Sequence, residues 1–401
     1  MDSFFPWCFD GGRFLRNVQI CVENGRITNV LPNNESHAST LPRLAVPGLI
    51  NLHTHLELTD LQGCLPRQAT FPRWVDTLRR HTRDWTPGHY LRSTLRGAKI
   101  ALSSGTTTLL DVGNSGANWE VLKSTPLRLL AMRELLGLQG SPQDKLRVAE
   151  SLLTEAWIPG NPAQGLCAHS LYSCLPDLIH ETAKWTQDRR LPFTLHLEES
   201  QAEHDLFRLG RGPMRRWLDR IAPNHPFQGK GPGGWLRALE AGIPDRSIVV
   251  HGNLLEETEL AELRNHDMTL VHCPQSAAWF GHPPLDVAAC LRQGVRLCLG
   301  TDSLASAESL SLWDQSRLFH QNHPELPAED LLSRVTSVPG EALDPQGALG
   351  TLRSGSFADL VTLALPEGFD GSDWNWLWQG DVRVLEVWIG GKLEWRIDNE
   401  D

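Results

Sequence analysis

No Cys-x-x-Cys pair, no run of about 18 apolar residues and no long basic stretch occurs in this chain. Each absence removes a class of function. The eight cysteines stand singly, at 8, 21, 64, 167, 174, 273, 290 and 298. Several lie inside apolar runs such as VHCP and VRLCLG, where a thiol behaves as a small buried hydrophobe. A reducing cytoplasm is expected, and a disulfide framework is not. Without a sustained apolar segment there is no membrane span to propose, and MDSFFPWCFDGG lacks the basic lead of an export signal. Acidic residues outnumber basic ones, 48 to 37, for a net charge of −11. That balance argues against nucleic acid as a partner, because no basic patch is available to neutralise phosphates. Tyrosine is scarce, two against fifteen tryptophans, and nothing physical accounts for the ratio.

At 401 residues, 40 % of them hydrophobic, the chain can bury a large core. It is too long for one average domain unless that domain is a barrel, which runs to about 250 residues or more. The middle of the chain has the matching rhythm. Apolar or β-branched runs at LAVPGLINLHTH, GTTTLLDVGN, LRLLAMREL, QGLCAHS, PFTLHLEE, SIVVHGN, MTLVHCP and VRLCLGTD read as eight strands. Helical stretches such as RWVDTLRRHTRDW, SPQDKLRVAESLLTEAWI and PDLIHETAKWTQD separate them. Strands alternating with helices imply right-handed crossovers and a parallel sheet. Eight such units predict an α/β fold, a distorted (β/α)8 barrel over 47–348, with its site at the C-terminal strand ends. Both termini instead read as short strands with turns, including hairpin signals at Asn24-Gly25 and Gly390-Gly391. Residues 1–46 and 349–401 are therefore expected to form one small β-sandwich domain.

The strand ends carry the chemistry. Strand one finishes in His53-Thr54-His55, and alternation points both imidazoles the same way. Strand four ends near His169, strand five in His196 with Glu199 three residues on, strand six in His251, strand seven in His272 and strand eight in Asp302. A lone histidine at a strand end is usually an ordinary surface or packed residue. Six strands ending this way on one rim predict a metal centre. Imidazole and carboxylate ligands without cysteine suit one divalent zinc or iron acting as a Lewis acid.

The chain resembles the amidohydrolase superfamily over essentially its whole length. The motifs that carry the likeness are PGLINLHTHLE, His196-Leu197-Glu198-Glu199, VVHGN, HCPQS, LGTDS and GTLRSGSFADLVTL. Binuclear members of that family need a bridging lysine or glutamate on strand four, and QGLCAHSLYSC offers neither. The resemblance is thus to the mononuclear branch of ring deaminases, which includes cytosine, guanine, S-adenosylhomocysteine and aminodeoxyfutalosine deaminases. It implies metal ligands at His53, His55, His196 and Asp302, a proton shuttle at Glu199, and roles for His251 and Asp302 in holding and deprotonating the attacking water. It also implies a small-molecule substrate and the paired subunits common in the family. The zinc deaminases with Pro-Cys-x-x-Cys belong to another fold, and that motif is absent here.

For the substrate, the similarity runs to the aminodeoxyfutalosine deaminase-like group, acting on adenine-type nucleosides. Glu57, His169 and His272 are expected as substrate contacts. Ala277 and Ser170-Leu171 depart from that group's usual residues, which keeps guanine, cytosine or S-adenosylhomocysteine as alternatives, along with amide, imide or aryl halide hydrolysis. A scaffold without activity is disfavoured because the full ligand set and Glu199 are present. The arginines at 208, 211, 215 and 216, near Phe207 and Trp217, are expected on a solvated helix face or on a lid.

Overall fold

The computed structural model describes residues 2–32, 43–122, 124–150, 158–227, 229–380 and 382–397. Eight parallel strands form two four-stranded sheets. One contains β1 (Leu49–Thr54), β2 (Thr106–Gly113), β3 (Arg128–Leu135) and β4 (Ala163–Ala168), side by side in that order. The other contains β5 (Thr194–Leu197), β6 (Ile248–His251), β7 (Thr269–His272) and β8 (Arg296–Leu299). Every residue of β1, β2, β5, β6 and β7 is buried. Strands of a parallel sheet are buried on both faces because helices cover one side and the interior the other.

The two sheets meet at their C-terminal ends. The amides of Thr301 and Asp302, after β8, both donate to the His53 carbonyl on β1 at 3.1 Å. The His196 amide on β5 donates to the His169 carbonyl, just after β4, at 2.9 Å. Parallel bridges Thr54–Asp302 and Ser170–His196 accompany these bonds. The arrangement is TIM-barrel-like, and it gathers the chemistry-bearing strand ends on one rim.

Strands from both chain ends share a seven-stranded sheet in the order Lys392–Arg396, Val384–Ile389, Leu360–Ala364, Arg43–Pro47, Asp2–Phe9, Phe14–Glu23, Arg26–Pro32. Its two tight hairpins turn at Asn24-Gly25 (φ 49° and 77°) and Gly390-Gly391 (φ 57° and 73°). Positive φ at both central positions is what a two-residue turn of matching twist demands.

The run LAVPGLINLHTH, expected as one strand, is two. Arg43–Pro47 belongs to the terminal sheet and β1 to the parallel one, and the chain changes sheets at Gly48. A Cβ there would lie 2.1 Å from Thr107 Oγ1, so only glycine lets the chain pass β2. The Gly48 amide donates to the Asp359 carbonyl (2.9 Å). The Asp359 carboxylate in turn receives both Arg128 Nε (2.5 Å) and Nη2 (2.9 Å) from β3.

Among the helices that bear on the site are α1 (Phe71–Thr82), α2 (Gln201–Leu209), α3 (Pro213–Ile221) and α4 (Pro274–Phe280). The helix expected from Ser141 to Ile158 is present over Pro142–Glu150, and 151–157 lie outside the described residues. Among the described residues no helix is long and apolar enough to cross a membrane.

Candidate metal centre and substrate cavity

His53 and His55 leave β1 on the same face, as alternation requires, and meet His196 from β5. His53 Nε2 and His196 Nε2 stand 3.3 Å apart. His196 Nδ1 lies 2.8 Å from the His169 carbonyl, which can only accept, so Nδ1 carries the proton and Nε2 presents a lone pair. Asp302 Oδ1 lies 3.7 Å from His53 Nε2 and 3.8 Å from His55 Nε2. Two nitrogen ligands on a tetrahedral zinc, at the usual bond length, are about 3.4 Å apart. The imidazole spacing therefore fits a divalent cation between them, and four donors without sulfur suit zinc or iron.

The ligands are held from behind. Ser276 Oγ, on α4, donates to Asp302 Oδ2 at 2.6 Å, and Ser306 Oγ does so at 3.2 Å. The Ser303 amide adds a 2.8 Å bond to Oδ1. Partners of this kind fix the orientation of ligating groups. Burial alone would raise the Asp302 carboxyl, but the imidazoles packed against it, His53 first and then His251 and His55, hold it well below the usual range. Burial pushes the imidazoles down, His55 to about 4 with His53 assisting and His196 further. A neutral His55 and His196 beside an ionised Asp302 are in the protonation states in which such groups bind metal.

Glu199, His251 and Asp302 form a second group beside the first. Glu199 Oε1 is 3.8 Å from His251 Nε2 and 3.8 Å from His282 Nε2. Burial, then the Asp302 charge, raises the Glu199 carboxyl well above its ordinary value, as a proton carrier near neutral pH requires. Its backbone is clamped on both sides. Glu203, from the first turn of α2, takes the amides of Glu198 (3.2 Å) and Glu199 (2.9 Å) on its two oxygens. Asn253 Nδ2 donates to the Glu199 carbonyl at 3.0 Å. Glu198, His251 and Asp302 all adopt left-handed backbone, with φ of 50°, 73° and 56°. Each costs of order 1–3 kcal/mol, and the clamps hold that strain in place at the rim.

A cavity of about 700 Å³ opens over these groups. Its floor is polar, with His55, Glu57, Glu134, His169, His196, Glu199, His251 and Asp302; its walls include Phe71, Trp74 and Leu78 of α1, Trp217 and Ile221 of α3, Tyr172 and Phe280. From the arginine-rich segment it is thus the apolar edge of α3 that reaches the cavity. Arg208 pairs instead with Glu256 and Glu259, and Arg215 with Asp219. Trp217 Nε1 ties α3 to Asp76 of α1 at 2.9 Å.

Of the expected substrate contacts, Glu57 and His169 line the cavity. Glu57 is already engaged by the amides of Asn114 and Ser115, at 2.9 Å each, and by Ser115 Oγ. His272 is not among the lining residues, and the expectation of a substrate contact there is corrected. A Cβ on Gly300 would touch Val271, Cys273 and His53 Cβ; alternation sends His272, between the first two, to the opposite face, where it packs near Phe319. Two residues escaped the sequence reading. His282 follows Trp279-Phe280 and stacks on Phe280 at 4.9 Å. Glu134, at the end of β3, lines the floor. The strand-end rule, extended to glutamate, would have found the latter.

The pattern of the amidohydrolase family matches residues 44–393. The chain is 26 % identical to a 5-methylthioadenosine/S-adenosylhomocysteine deaminase of Bacillus thuringiensis (strain Al Hakam) over 383 residues, 87 % of this chain and 81 % of that protein. In fold it resembles aminofutalosine deaminase of Helicobacter pylori, crystallised with methylthio-coformycin (TM-score 0.82, 20 % identity, covering 98 % of this chain and 99 % of that one). It also resembles an adenosine deaminase from Xanthomonas campestris with bound zinc (TM-score 0.80, 20 % identity, covering 100 % and 94 %). With the family pattern running from the strand before His53, through Glu199 and Asp302, into the closing sheet, this chain belongs to the amidohydrolase family.

Proposed function

We propose that the chain is a metal-dependent aminohydrolase that releases ammonia from an adenine-type nucleoside. The carrying observation is the convergence of His53, His55, His196 and Asp302 at metal-binding distances, with Glu199 beside them on the cavity floor. The named activities of the Bacillus relative and of the Helicobacter and Xanthomonas neighbours support the substrate class. In this reading the two parallel sheets act as one distorted (β/α)8 barrel over 47–348, and 1–46 with 349–401 as a small β-sandwich-type domain that braces it. The cysteines, spaced singly along the sequence, suit a reducing cytoplasm.

One divalent metal, zinc or iron, is held by the four ligands; when bound it supplies the Lewis acidity that makes water nucleophilic near neutral pH. The remaining work falls to the protein. His251 orients the water against the ring carbon that bears the amine. Asp302 accepts a proton from it. Glu199 takes the water's other proton and delivers it to the adjacent ring nitrogen; as the new C–O bond becomes a carbonyl, the proton held by Asp302 passes to the departing amine, so that ammonia leaves neutral. Glu57 and His169 contact the ring or the sugar, and the apolar wall of α1 and α3 excludes water from the rest of the substrate.

The test is ammonia release by metal-loaded protein against adenine, guanine and cytosine, their nucleosides, S-adenosylhomocysteine and aminodeoxyfutalosine. Release from adenine nucleosides, abolished by chelation and restored by metal, is expected. Silence across the panel with one metal bound per chain would refute deamination and direct attention to amide or halide hydrolysis.

A further inference from the structure

Four carboxylates line the cavity: Glu57, Glu134, Glu199 and Asp302. Asp302 and Glu199 belong to the metal and the proton, and Glu57 is engaged by Asn114 and Ser115. Glu134 has no such employment. Its side chain is 8 % exposed, and Oε1 is buried with no hydrogen-bond partner. The nearest ring nitrogens are His196 Nδ1 at 3.9 Å and His169 Nε2 at 4.0 Å. The former already gives its proton to the His169 carbonyl. Its own main chain is fixed, with the Asn114 side chain donating to the Glu134 carbonyl at 3.3 Å. Arg79 is the single lysine or arginine among the lining residues, so the cavity supplies almost no cation to answer the carboxylates. A buried acceptor without a donor costs about 1–3 kcal/mol, and a ligand donor arriving from the cavity would remove that cost.

The chemistry of the substrate class narrows the donor. In an adenine nucleoside the exocyclic amine is the leaving group and sits at the metal and Glu199. The ring nitrogens carry lone pairs and accept. The sugar hydroxyls are the donors that remain. Resting on the deaminase reading above, we propose that Glu134 accepts a hydrogen bond from a ribose hydroxyl and sets a preference for ribonucleosides over deoxynucleosides and the free base. Glu134 and Glu199 then read the two ends of the substrate.

The experiment crosses enzyme with substrate: wild type, Glu134→Gln and Glu134→Ala against adenosine, 2′-deoxyadenosine, 3′-deoxyadenosine and 2′,3′-dideoxyadenosine, with metal content measured for each protein. Wild type should lose about tenfold to a hundredfold in kcat/KM between adenosine and the dideoxy compound, the range of one hydrogen bond to a charged group. Glu134→Gln should show a similar loss on adenosine and stay within about twofold of wild type on dideoxyadenosine. Equal losses on both substrates would place Glu134 on the base or the metal and overturn the proposal. So would a wild type that turns over the two substrates equally, a result that needs no variant to fold. Wild type inactive on every adenine nucleoside would remove the nucleoside reading and the sugar contact with it; activity without sugar discrimination removes the contact alone.

Discussion

Replacing Asp359 with asparagine should cost the protein about 3–5 kcal/mol, although the residue is outside the cavity. Asp359 takes Arg128 Nε and Nη2 on its two oxygens, and the Gly390 amide also donates to Oδ1 at 2.7 Å. The two side chains are only 12 % and 7 % exposed. Asparagine preserves the shape but brings one carboxamide NH2 against a guanidinium that has nothing but donors. If its oxygen stays on Gly390 and Nη2, its nitrogen faces Nε, and a buried cation loses its counter-charge. An exposed ion pair would lose about 0–1 kcal/mol by the same change, so burial decides the size of the effect. Urea unfolding of metal-loaded protein, followed by tryptophan fluorescence, reads the loss. Arg128→Met in the Asp359→Asn background should recover most of it, because the unpaired charge is then gone. A loss below about 1 kcal/mol, or a double variant no better than Asp359→Asn, would refute the argument that an unpaired buried charge is the cause.

Glu199→Gln should retain one metal per chain by metal analysis and lose at least about a hundredfold in kcat; an active variant would end the proton-carrier role. Glu203→Gln should lower kcat about tenfold with KM and metal content nearly unchanged, since it loosens the two amides that aim Glu199. Parallel changes in KM or metal would point to general damage instead. Gly48→Ala should destabilise by about 1–3 kcal/mol through overpacking against Thr107, with Thr107→Ala recovering part of the loss; an unchanged unfolding midpoint would contradict the close approach. His272→Asn should keep metal and kcat within about threefold, because its ring faces away from the cavity.

The strand-end histidines and Asp302 were legible because two periodicities suffice to place them: alternation along a strand, and repetition of the βα unit that gathers strand ends on one rim. His272 obeyed the same rule and misled, because a strand-end residue one step out of phase faces the helices. The break at Gly48 was hidden for a different reason. LAVPGLINL is apolar but for Asn51 and buried throughout, so its periodicity does not show a change of sheets, although Pro47-Gly48 stands at the break; the deciding contact, with Thr107, lies in another strand. Glu203 is likewise long-sighted. Ser200-x-x-Glu203 reads as an ordinary capping box, and Ser200 Oγ does accept the Glu203 amide. The Glu203 carboxylate, however, reaches past the cap to residues 198 and 199, a choice imposed by the left-handed turn at Glu198.

The seven-stranded sheet also bears on the order in which the molecule can be made. Arg43–Pro47, which leads directly into the strand of His53 and His55, is flanked on one side by Leu360–Ala364. During synthesis from the N-terminus, that neighbour does not exist until all eight parallel strands have been translated. Contacts of such sequence separation close late and slowly. The lead-in to the strand carrying His53 and His55 is thus flanked early by Asp2–Phe9 and gains its second neighbour only after the His196 and Asp302 strands have emerged. Truncation within the last strands should consequently yield protein that binds metal poorly, although every ligand is present in its sequence.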